Sequence, residues 1–162
     1  MFDPAADPLA DPALAALVAD KLLRGADHPW EVAEPPAFDV IEAAGRFLKL
    51  TQEVNAIVGT ECAVELWPAV RDATFHAELV LPADVLTGEE SAVVRASNFA
   101  NLIAVLNDDD AVRPDVMAKL RRRFERNCYR FVPSGPLRKP YDGHHRGTKQ
   151  FARWRDRLFG YL

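Results

Sequence analysis

With 162 residues, 49% of them hydrophobic and 27% charged, the chain can bury about 70% of the surface its unfolded form exposes, so one core forms without staples. Cys62 and Cys128 lack any Cys-x-x-Cys or Cys/His ligand spacing, which excludes a disulfide framework and a structural zinc site and reads both as buried thiols. No apolar run reaches bilayer length, and the opening MFDPAADPLADPAL is acidic where a secretory signal is basic then apolar, so a cytoplasmic protein away from membranes is expected.

The formal charge of −4 conceals a division along the chain. Residues 1–118 carry 7 Lys/Arg against 21 Asp/Glu, a balance of −14, whereas residues 119–162 carry 13 against 3, a balance of +10. A basic end of this kind marks either an anionic partner or neutralisation by the acidic part of the same fold.

In chain order, the Asp-Pro units at 3–4 and 7–8 deny the head a helix interior, and residues 1–11 are expected to be flexible. The third unit reads as a helix start, with Asp11 as cap and Pro12 in the first turn. Leu14, Leu17, Val18 and Leu22 then form an apolar face until Gly25 supplies a left-handed exit, giving a helix over about 12–24. After Pro35-Pro36, Val40, Ile41, Ala44, Phe47, Leu48, Val54 and Ile57 follow a mostly helical period. One long helix is expected over 37–58, although RFLKL alone also reads as an alternating strand.

The period then changes to two. Cys62, Val64 and Leu66 alternate in ECAVELW, as do Phe75, Ala77, Leu79 and Leu81 in TFHAELVL, which predicts an antiparallel hairpin of 61–67 and 74–81 around PAVRDA. Pairing 67 with 74 sets Glu65 opposite His76, with Glu78 two residues further along the same face. Thr87-Gly-Glu-Glu90 matches a capping box and predicts a helix over 88–106, faced by Val93, Ala96, Phe99, Ala100, Ile103 and Leu106 and stopped by the acidic run at 107–110. Pro114 opens a further helix, with Met117, Leu120, Phe124, Cys128 and Phe131 on its apolar face and arginines on the other. Three prolines and three glycines in 133–147 rule out a regular element there, and loops this long either work or wrap. Phe151, Trp154, Leu158 and Leu162 close the chain as a short amphipathic helix.

The resulting fold class is α+β. A single domain over 1–162 is expected, with about four main helices on a small antiparallel sheet, a long Pro/Gly loop and a short C-terminal helix.

Three constellations carry chemistry. Gly143 and Gly147 can expose backbone N–H groups, and Arg138, Lys139, Arg146 and Lys149 add charged donors, so the loop reads as a receptor for phosphate or carboxylate. The competing reading fastens the same arginines to the acidic first part of the chain. His144 and His145 are the catalytic candidates of that loop, but only 17 residues follow His145 and, Asp156 aside, none is His, Asn, Asp or Glu, so no metal site is completed. His76 between Glu65 and Glu78 is a third candidate, for general acid–base work, against plain cross-strand polar pairing. The α-helical arginines Arg121, Arg122, Arg123, Arg126 and Arg130, with Arg153, Arg155 and Arg157 and the aromatics Tyr129, Tyr141 and Trp154, raise nucleic-acid binding, which a pI of about 5.6 opposes.

Taken together, the residues favour an interaction or regulatory module whose basic C-terminal surface, with Arg138, Lys139, Arg146, Lys149, Arg122 and Arg126, meets an acidic protein or a small anionic ligand. An enzyme acting on a small anion, through His144, His145, Arg138 and Arg146, is the second reading, and nucleic acid the third. No cofactor and no metal are expected, and a homodimer is left open.

Overall fold

The computed structural model describes residues 11–29, 37–66, 75, 77–107, 109–147 and 150–160. The chain order is α1 (Pro12–Ala26), α2 (Val40–Val58), β1 (Ala63–Leu66), β2 (Ala77–Val80), β3 (Val93–Ala96), β4 (Leu102–Leu106), α3 (Pro114–Arg126), β5 (Arg130–Phe131), α4 (Ser134–Leu137) and α5 (Trp154–Leu158), with 3-10 turns at Ala83–Val85 and Asp109–Ala111. This is an α+β fold. Its sheet runs β1-β2-β3-β4-β5, antiparallel as far as β4; β5 then lies parallel to β4, after a crossover through α3. No helix among the described residues is long and apolar enough to cross a membrane.

Helices pack on both faces of the sheet. Ala77, Leu79, Val94, Ala96, Ile103 and Val105 pack against Phe47, Leu50 and Val54 of α2 and Val116, Leu120 and Phe124 of α3. Leu102, Ala104 and Leu106 point the other way, onto Leu23 and Ala26 of α1, Leu137 of α4 and Trp154, Leu158 and Phe159 of the C-terminal segment. β4 is therefore buried along its whole length, which explains the unbroken apolar run LIAVL. Each large apolar side chain so buried stabilises the fold by about 1.5–3 kcal/mol.

The helix starts follow the expected chemistry. Asp11 accepts from the Ala13 N–H with Pro12 in the first turn, Asp39 accepts from the Glu42 N–H, and α2 ends at Gly59 with φ of 76°. α2 is one helix, without a strand at RFLKL. α1 runs through Gly25 to Ala26 and ends in an extended Asp27, so the expected glycine exit is not used. Its buried face is Ala19, Leu23 and Ala26, while Leu14, Leu17 and Val18 stand exposed.

The helix expected over 88–106 is instead β3 and β4. Val93, Val94, Ile103 and Val105 are β-branched and favour strands, and the segment is broken by Ala100 (φ 52°) and Asn101 (φ 55°), a left-handed pair that makes the tight turn of a hairpin. Thr87 caps nothing; its hydroxyl donates to the carbonyls of Asp110 and Ala111. α3 stops at Arg126, and Cys128 just beyond it turns left-handed at φ 63°. Cys128 is exposed and Cys62 half-buried, contrary to the reading of two buried thiols.

The hairpin forms with its faces as expected but its register displaced by two. Ala63 pairs with Val80 and Glu65 with Glu78, so His76 is not the residue opposite Glu65; His76 itself and the loop 67–74 lie outside the described residues. A slip of two preserves which side chains face the core, so the apolar pattern does not decide between the registers. Glu78 is instead paired with Arg95 of β3, whose guanidinium also donates to the Phe159 carbonyl.

Candidate anion-binding site

The loop after α4 is organised by a buried ion pair. Arg157 Nε donates to Asp27 Oδ1 at 2.8 Å, and both side chains are wholly removed from solvent. Asp27 Oδ2 accepts from the Tyr141 hydroxyl at 2.6 Å and from the His144 N–H at 2.5 Å, while Arg157 Nη2 reaches the His28 carbonyl. Phe99 and Phe151 lie 4.6 and 5.2 Å from the Arg157 guanidinium carbon. Two charges buried in so little water hold only with every donor and acceptor satisfied, and the loop supplies those partners. Burial, followed by the bond to Asp27, raises the Tyr141 phenol above its ordinary range. At the rim Arg24 grips both Asp20 and Asp142, which holds the Asp142 carboxyl below the usual range, and Trp154 Nε1 donates to the same carboxylate.

This network shows where the two glycines and two histidines stand. Gly143 lies so close to the Asp27 carboxylate and the rings of Tyr141 and Trp154 that a Cβ would collide with all three, and a Cβ on Gly147 would meet the His145 ring. The His145 N–H donates to the Tyr141 hydroxyl, and its ring sits edge-on to Phe151 at 5.3 Å with both nitrogens buried and no hydrogen-bond partner. His145 is thus packed as an aromatic. His144 is exposed and lines a wide depression with Asp27, Pro29 and Arg146. Arg146, tied by its N–H to the Pro29 carbonyl, does not join Arg138 in one cavity.

Arg138 stands elsewhere, in a cleft of about 290 Å³ at the end of β4. Its lining comprises Val105, Leu106 and Leu137 together with Asn107, Ser134, Arg138, Arg153 and Arg155. Backbone pairing builds it. Pro140 bridges Arg153, the Tyr141 N–H donates to the Ala152 carbonyl and the Trp154 N–H to the Lys139 carbonyl, so the two arginine-bearing stretches run side by side. Arg138 donates to Ser134 Oγ, which in turn donates to Asp109, the residue that fastens the end of β4 to α4. Asp109 belongs to the acidic run expected to stop a helix over 88–106.

The chain matches no protein-family model, no curated protein and no solved structure.

Of the other candidates, Lys139 is exposed beside the cleft, Arg122 and Arg126 lie on the solvent side of α3, and Lys149 and His76 lie outside the described residues. Arg123 approaches Glu53 at 3.7 Å and Arg121 lies over Phe131, so that helix is only partly neutralised from within. The aromatics weighed for base stacking are engaged in the core: Trp154 is 2% exposed, Tyr129 is buried, and Tyr141 packs edge-on against Trp154 at 4.9 Å. Among the described residues no three His, Cys, Asp or Glu side chains gather where they could hold a metal ion. Reading the sequence missed Asp27 as the loop's anchor and Arg153 and Arg155 as companions of Arg138. Only the Arg-x-Arg spacing at 153 and 155 signalled the latter.

Proposed function

We propose that this protein is a binding module that takes a small anionic group, a phosphate or a carboxylate presented by a ligand or an acidic protein, in the cleft between α4 and α5. The observation that carries the reading is the meeting of Arg138, Arg153 and Arg155 over the apolar side chains of Leu106 and Leu137. Guanidinium groups grip carboxylate and phosphate oxygens in bidentate fashion, and a floor of low polarity strengthens each such contact. A cleft near the lower limit of ligand-pocket sizes suits one such group rather than a large cofactor. Lys139 beside it adds positive field for steering an anion inward. Within residues 119–162, Arg157 is committed to Asp27, whereas Arg138, which donates to Ser134, and Arg155, 3.9 Å from Asp156, line the cleft.

The test is calorimetric titration of the full chain with inorganic phosphate and with acetate, alongside Arg155→Ala and Arg126→Ala. Saturable binding that falls at least about tenfold in Arg155→Ala and is unchanged in Arg126→Ala supports the cleft, since one lost charged hydrogen bond is worth about 1.5–3 kcal/mol. Absence of saturable binding, or an equal loss in both variants, overturns it. The enzymatic alternative narrows to His144 beside Arg146 in the open depression over Asp27.

A further inference from the structure

α2 has a face that neither the core nor the cleft uses. The helix packs on the sheet through Phe47, Leu50 and Val54, while its opposite side presents Ile41, Gly45, Leu48, Gln52 and Ala56 at steps of three and four residues. Ile41 is 73% exposed and Leu48 50%. Gly45 stands between them in mid-helix, where glycine weakens a helix, yet a Cβ there would meet nothing within 4 Å. Nothing among the described residues asks for a residue without a side chain at that point. A close neighbour helix does, because the distance between packed helices is set by the side chains at their contact.

The charges beside the stripe say which neighbour. Glu42 and Lys49 flank Gly45 on the same side of the helix, three residues before it and four after. The Glu42 side chain keeps 67% of its exposure despite its pairing with Arg46, and Lys49 is exposed. We propose that α2 is a self-association surface, in which two copies meet antiparallel about a two-fold axis at Gly45. A two-fold contact is self-complementary, so Ile41 of each copy packs toward Leu48 of the second copy, and Glu42 of each faces Lys49 of the second copy. The parallel arrangement carries Glu42 and Lys49 to the flank opposite their counterparts, against the second copy's apolar Ile41 and Leu48, and forms no such charge pair. One helix face buries less than the area of a standard stable interface, so the dimer is reversible and concentration-dependent. The contact is remote from the arginine cleft and independent of its ligand.

Sedimentation equilibrium of the full chain from about 1 µM to about 1 mM reads the association, over the range expected of a contact this small. A monomer–dimer equilibrium is expected, weakened at least about tenfold by Leu48→Glu and by Lys49→Glu, and restored when Glu42→Lys is added to Lys49→Glu. All three positions are exposed, so circular dichroism and thermal unfolding of the variants stay close to the parent, and Arg155→Ala dimerises as the parent does. A monomer at every concentration overturns the proposal and leaves the face to a different protein. A dimer indifferent to Leu48→Glu, or one that the charge exchange fails to restore, overturns it by locating the contact elsewhere.

Discussion

Asp27, the residue at which α1 ends, is buried against Arg157 of α5 in an ion pair of 2.8 Å that joins the first described helix to the last. The pair also anchors the Gly143–His145 loop through Tyr141 and the His144 N–H, so one carboxylate closes the C-terminal layer onto the fold. Breaking a buried pair by removing one partner strands the other charge. Asp27→Leu is expected to lower the unfolding free energy by about 3–5 kcal/mol, and the double variant Asp27→Leu/Arg157→Met to recover part of that loss. Urea unfolding of the four proteins measures the coupling, and strictly additive losses would show that the pair does not act as a unit.

Two glycines predict opposite signs. Gly143→Ala inserts a methyl group against the Asp27 carboxylate and two rings and is expected to destabilise by about 1–3 kcal/mol. Protease cleavage after Arg146 should quicken at the same time. Gly45→Ala, in open space on α2 within the protomer, is expected to stabilise the dilute monomer by about 1 kcal/mol. Thermal melts at fixed protein concentration distinguish the two.

Stability at alkaline pH follows from the tyrosines. Burial raises the phenol of Tyr129, and burial together with the bond to Asp27 raises that of Tyr141, both from an ordinary value of 10.0. A folded-state pKa above the unfolded one contributes stability that is complete below the unfolded value and is lost as pH rises through the folded one. The urea midpoint is therefore expected to fall above about pH 10, and Tyr141→Phe to flatten that fall. The exposed pairs of Asp142 with Arg24 and Asp115 with Arg113 act on the acid limb, where both carboxyls sit low and their contribution disappears as pH drops through those lowered values. Solvent screening keeps that limb shallow.

A ligand held only by the folded state raises stability by mass action. Phosphate at about ten times its dissociation constant is expected to add about 1.4 kcal/mol to the unfolding free energy of the parent and almost none to Arg138→Ala or Arg155→Ala. Differential scanning fluorimetry at constant ionic strength separates this from general salt effects, which move all three proteins alike.

Much of the local structure was legible because it rests on neighbours in the chain. Asp11-Pro12 and Pro114 start helices where they do because a capping carboxylate or a proline of fixed φ acts on residues within one turn of it. The segment from 87 to 106 was misread because Val93, Ala96, Ile103 and Leu106 satisfy a helical spacing as well as a strand's. The deciding signal, β-branched residues on both sides of a left-handed Ala100-Asn101 turn, needs β2 and α3 present to be worth more than helix propensity. Of the candidate site, the glycines and Arg138 stood out in the loop, but the spacing of the loop contains no trace of Asp27.

By itself the sequence determined where α1 and α3 begin, that β2 alternates into the core, and that positive charge gathers in the last 44 residues, since each of these depends on contacts or counts made locally along the chain. Tertiary structure alone decided which acid each arginine meets. It sent Arg157 inward to Asp27 and drew Arg153 and Arg155 beside Arg138, because burial and through-space distance govern electrostatic energy, and both are set by how α1, α4 and α5 pack on β4 rather than by position in the chain.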